Sequence, residues 1–208
     1  MKVYLILRRV MTLLAGLLLM PGARAAAQSY SDSIYAWQHH YKAEFLVTEK
    51  SPLTAADTGF IRFYPPDPAW KLPARFTLRE DRRDLLLPTY NHTSKPFREY
   101  GYLDFEISGT GYRLFVYQNV NYMATDSLHL FLPFTDLTNS ETTYGGGRYI
   151  DLSVADIRDG HILLDFNKAY NPYCAFAGGY SCPIPPPENS LPVAVAAGEQ
   201  QFAGMVRE

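Results

Sequence analysis

Residues 102–117, YLDFEISGTGYRLFVY, decide the fold class. Leu103, Phe105 and Ile107 alternate with Tyr102, Asp104 and Glu106, the period of two that puts one apolar face on a strand. Gly109-Thr110-Gly111 supplies a turn, and Leu114 and Val116 repeat the alternation on the way back, so the segment reads as an antiparallel hairpin. Strand signals recur on both sides, at Phe60–Tyr64, Arg75–Glu80, Leu85–Leu87, Leu128–Leu132, Tyr149–Val154, His161–Phe166 and Leu191–Ala197. The connections are too short for repeated crossover helices. The expected fold is therefore mostly β, an antiparallel β-barrel or sandwich, with an N-terminal helix packed against it. That helix is read at Ser31–Phe45, where Tyr30, Ile34, Trp37, Tyr41 and Phe45 form one apolar face. Ser31 or Ser33 can cap it, and His39 and His40 fall off the stripe. Thr54-Ala55-Ala56-Asp57 has capping-box form.

The first 27 residues have the pattern of a cleaved secretory signal. Lys2, Arg8 and Arg9 precede the uncharged apolar run Met11–Met20, and Ala23-Arg24-Ala25 and Ala25-Ala26-Ala27 offer cleavage sites. The run is short for a membrane span, which needs about 20 residues. A periplasmic or secreted location is expected, with residues 28–208 as one β-rich domain. Removing four basic residues and no acidic one takes the formal charge from −2 to −6. Such a domain lacks the basic footprint of a nucleic-acid or anionic-membrane binder. In an oxidising compartment Cys174 and Cys182 are expected to form a disulfide. A metal site would need further soft ligands, and the five histidines show no ligand spacing. No metal or cofactor is expected.

The chain from Pro133 onward is dense in polar motifs. It contains Thr143-Tyr144-Gly145-Gly146-Gly147-Arg148-Tyr149, then Asp165-Phe166-Asn167-Lys168-Ala169-Tyr170-Asn171-Pro172-Tyr173-Cys174-Ala175. Ser181-Cys182-Pro183-Ile184-Pro185-Pro186-Pro187-Glu188-Asn189 and Ala197-Gly198-Glu199 follow. With Ser51-Pro52-Leu53, Phe63-Tyr64-Pro65-Pro66 and Tyr100-Gly101 upstream, these strings resemble the bacterial family named domain of unknown function 1684, in its short exported form. The resemblance spans nearly all of residues 28–208 and implies no residue roles.

The residues themselves allow several chemistries. Gly146 and Gly147 permit unusual backbone angles and close approach, and Arg148 after them can present a guanidinium fork to an anion. The plainer reading is a tight turn with Arg148 paired to Asp151 or Asp165. Asp165 and Asn167 share one side of a strand. If Asp151 lies opposite, the two carboxylates can act as acid and base, bind a hard cation such as calcium with nearby carbonyls, or form a polar network that fixes loops. Glu188 and Asn189 precede the last expected strand and can point back at Asp165, and Glu199 can cap the cluster or face water. Three functions follow. One is an extracytoplasmic binding protein for a small polar ligand, a sugar or peptide fragment, held by Tyr144, Gly146, Gly147, Arg148, Asn167, Tyr170, Asn171 and Asn189. The second is a hydrolase using Asp151, Asp165 or Glu188, and the third is a structural envelope protein.

Overall fold

A computed structural model describes the chain from Pro21 to Arg207, with side chains from Gln28 onward. The charged and apolar parts of the expected signal, residues 1–20, lie outside the described residues. Helix α1 spans Pro21–Val47 without a break at Ser31. Ser33 does not cap it, since its hydroxyl donates back to the Tyr30 carbonyl at 2.6 Å. The apolar stripe is realised, with Ile34 and Phe45 buried and Tyr30, Trp37 and Tyr41 half-buried. Among the described residues no helix is long and apolar enough to cross a membrane.

Seven antiparallel strands follow: β1 Lys71–Leu78, β2 Asp84–Pro88, β3 Ser94–Ile107, β4 Thr110–Asn119, β5 His129–Phe134, β6 Arg148–Ser153 and β7 His161–Asp165. They form one curled sheet in the order β6-β5-β4-β3-β1-β7, with β2 added to β3, rather than two facing sheets. Leu103, Leu114, Val116, Leu132, Ile150 and Leu164 pack inside the curl. The edges β6 and β7 do not pair; a cleft of about 360 Å³ lies between them.

The hairpin forms as read, except at its tip. Ile107 pairs with Thr110, so the loop is Ser108-Gly109, with φ of 51° and 79°. Two positive φ angles give the primed turn whose twist matches the flanking strands. Thr110 and Gly111 therefore belong to β4 rather than to the turn.

A bulge at Tyr100 interrupts the β3–β4 register between Glu99 and Gly101. One extra residue reverses which side of the sheet a given parity faces. Leu103 and Phe105 thus fill the interior, whereas Phe97 joins Leu87, Tyr117, Phe131 and Tyr149 in a second cluster on the outer face. Gly101 is required there, since a Cβ would lie 2.4 Å from the Thr77 carbonyl oxygen.

Two expected strands are absent. Phe60–Tyr64 is a 3-10 turn, Thr58–Phe60, followed by a single bridge from Phe63 to Glu199. Thr54 N and Oγ1 donate to Asp57 just before that turn, at 2.7 and 2.6 Å. Leu191–Ala197 is irregular, bending at Pro192 and Val193; Leu191, Val195 and Ala197 join the core inside the curl. Side chains rather than a neighbouring strand satisfy much of its backbone.

Candidate functional site

Most of the polar motif block is internal wiring. Arg148 is fully buried, and its Nη2 donates to Asp136 Oδ2 at 2.7 Å and to the Val195 carbonyl at 3.0 Å. Nη1 donates to the carbonyls of Ala197 and Glu199. The partner is thus Asp136, neither Asp151 nor Asp165, because β6 starts at Arg148 with its side chain directed at the 195–199 segment. Gly147, at φ 85°, abuts the Phe134 carbonyl, and Gly146 lies against Tyr144 and Tyr90. Tyr90 donates to the Gly146 carbonyl at 2.6 Å and meets Tyr144 edge-on. Burial pushes the Tyr90 hydroxyl up to about 12.

Asn189, fully buried, supplies a missing rung. The Tyr117–Phe131 pair sets Phe115 opposite Pro133, which has no N–H to give. The Asn189 side chain fills the gap, accepting from Phe115 N at 2.7 Å and donating to the Phe115 and Pro133 carbonyls at 2.9 and 2.7 Å. Glu188 is exposed with Tyr117 as its neighbour, so neither residue points at Asp165.

Asp165 and Asn167 do come together, as a clasp for α1. Tyr30 donates to both Asp165 carboxylate oxygens at 2.9 and 3.0 Å, and Asn167 Nδ2 reaches Tyr30 Oη at 2.9 Å. Asn167 also bonds the Asp67 backbone N–H and carbonyl. Burial and the adjacent carboxylate raise the Tyr30 pKa. A second clasp uses Glu199, which is buried instead of facing water. Its Oε2 accepts from Tyr41 at 2.9 Å and from Asn171 N at 2.8 Å. Burial outweighs those bonds and Arg148, pushing its pKa up to about 8.

A solvent-open concavity lies on the other side of the sheet. Phe97, Asn119, His129, Phe131 and Tyr149, on β3 to β6, floor a cavity of about 320 Å³. Its wall is the arm Tyr170–Pro183, carrying Tyr170, Asn171, Tyr173 and Tyr180, with Lys95 and Tyr122 at the rim. The expected disulfide Cys174–Cys182 closes this arm, with the Cα atoms 6.2 Å apart. Tyr170 and Tyr173 are shared with a neighbouring cavity of about 490 Å³ under Trp37 and Tyr41 of α1.

Asp151 joins the two cavities. It accepts from His129 Nε2 at 2.8 Å and from the Tyr170 hydroxyl at 2.9 Å. The hydrogen bond to Asp151 is the main cause that raises the His129 pKa, against the opposing effect of burial. Burial and the same carboxylate hold the Tyr170 hydroxyl well above its ordinary value. Asp151 and Asp165 also both line the cleft between β6 and β7, with Lys71 and Lys168. Each carboxylate has its own donors there, and no bond links them. Of the residues singled out in the sequence, Tyr170 and Asn171 line the concavity and Asp151 lies behind it in the neighbouring cavity, while Tyr144, Gly146, Gly147, Arg148, Asn167, Glu188 and Asn189 do not line it. Lys95, Asn119, Tyr122 and His129 were missed. Lys95, Phe97, Asn119, His129, Phe131, Tyr149 and Asp151 are odd-numbered strand positions, a parity legible only once the bulge is known.

Comparison with curated proteins finds none that matches. The solution NMR structure of an uncharacterized protein from Haloarcula marismortui is similar, with a TM-score of 0.67 and 30% identity over 85% of this chain and 96% of that one. Residues 59–200 match the family described as "Protein of unknown function (DUF1684)", a span that holds the whole sheet and the arm. The chain belongs to that family.

Proposed function

We propose that the protein is an extracytoplasmic binding protein for a small polar ligand, a sugar or a peptide fragment, held between the outer sheet face and the Tyr170–Pro183 arm. The observation that carries this reading is the make-up of the groove: aromatic rings on floor and wall, interrupted by the polar groups of Lys95, Asn119, His129 and Ser181. Rings cover the apolar face of a sugar or side chain, and a few placed polar groups fix its orientation. The signal-like N-terminus and the disulfide support a location outside the cytoplasm. Hydrolysis by paired carboxylates has less support, since Asp151 and Asp165 are engaged by separate donors and Glu188 lies apart.

The test is a thermal-shift screen of the chain from Gln28 against monosaccharides and short peptides, with titration calorimetry on any hit. A ligand at a hundred times its Kd should stabilise the fold by about 2.7 kcal/mol. Tyr122→Ala, at a ring 64% exposed, should abolish that gain and leave the ligand-free melt nearly unchanged. A hit whose stabilisation survives both Tyr122→Ala and His129→Ala binds elsewhere and removes the groove from consideration.

A further inference from the structure

The groove is electrically one-sided. Its lining holds no carboxylate, while Lys95 stands on its rim. Among the described residues no acid reaches ion-pairing distance of the Lys95 ammonium, although Arg79, Arg98, Arg113, Arg148 and Arg207 all have carboxylate partners. Lys95 and Phe97 lie two residues apart on β3, and His129 and Phe131 do the same on β5, so a cationic or polar head accompanies each ring across the face. His129 adds no net positive charge when protonated, because Asp151 sits 2.8 Å behind it. Asn119 contributes neutral donors: its Oδ1 is occupied by Asn121 N, which leaves the amide N–H groups to be satisfied from outside.

From this arrangement we infer that the groove selects small acidic sugars, the carboxylate meeting Lys95 and His129 while the ring lies against Tyr122, Tyr149 and Tyr170. The inference rests on the binding reading above and adds its charge preference. Partial burial already lowers the Lys95 pKa, the cost of holding an ammonium there without a counter-ion. A bound carboxylate supplies that counter-ion, and its interaction is strengthened by the low dielectric of the aromatic walls. The surrounding domain is acidic, so a positively charged groove runs against its overall charge.

The experiment is calorimetric titration of the chain from Gln28 with glucuronic acid against glucose, and N-acetylmuramic acid against N-acetylglucosamine, at low and at physiological salt. The acid of each pair should bind at least about tenfold more tightly, the usual range for a charged hydrogen bond. Lys95→Met should erase that difference while leaving the neutral sugar's affinity in place, and Lys95→Arg should keep most of it. Added salt should weaken the acid and not the neutral sugar. Equal binding of acid and neutral sugar, or an acid preference that survives Lys95→Met, overturns the charge inference and leaves the binding reading standing. No binding of any of the four overturns the inference together with the sugar form of that reading.

Discussion

The Glu199 carboxyl makes the stability of this protein depend on pH in an uncommon direction. Its Oε2 has two donors, whereas Oε1 is buried with no partner, as is Asn171 Oδ1 beside it. A proton on Oε1 removes the charge that this buried, unpartnered oxygen would otherwise share. Burial raises the folded-state pKa from 4.5 to about 8, so between these values the folded chain holds a proton that the unfolded chain has released. Stability from this group is complete below the unfolded value and is lost as pH rises through the window, at about 1.4 kcal/mol per pH unit. The whole effect is roughly 5 kcal/mol at most. Glu199→Gln keeps the shape and places a permanent N–H where the proton would sit. Urea unfolding of both chains between pH 5 and 9 isolates the group, because the other carboxylates cancel in the difference. The difference, wild type minus variant, should fall steadily up to about pH 8, with the variant the more stable chain at pH 9. Parallel curves, or a variant weaker at pH 9, would refute a protonated Glu199.

Two further substitutions probe the wiring. Arg148→Met strands the buried Asp136 carboxylate and removes donors from the carbonyls of Val195, Ala197 and Glu199. It should cost about 3–5 kcal/mol in denaturant titration, and a loss below 1 kcal/mol would mean that the guanidinium is not holding the tail. Asn189→Leu leaves Phe115 N and O and the Pro133 carbonyl without their partner. A loss of about 3 kcal/mol is expected, with faster amide exchange at Phe115 than at Val116 as the local signature.

The hairpin, the other five strands of the sheet and the helix were legible because each rests on local periodicity. Leu103, Phe105, Leu114 and Val116 alternate in the sequence and do so in space. The tail was misread for a definite reason. Leu191–Ala197 has the composition of a strand, but its carbonyls are taken by Arg148, more than forty residues earlier, and nothing local records that. The polar motifs were equally visible, yet residue type does not separate a ligand donor from an internal tie; the burial of Arg148 and Asn189 does. His129 looked isolated because its partner is a diagonal neighbour. His129 pairs with Ser153 and Phe131 with Asp151, so the imidazole and carboxylate meet only across the β5–β6 register.

The placement of these ties bears on the order in which the molecule can be assembled. Asn189 supplies a rung between β4 and β5, the carbonyls of 195–199 satisfy Arg148, and Glu199 secures α1 through Tyr41. All three come from the last twenty residues of the chain. A polypeptide delivered amino end first, from a ribosome or through a membrane pore, would hold all seven strands while Arg148 still lacked three of its acceptors and α1 one of its two clasps. Until residues 189–199 arrive, none of these ties can form.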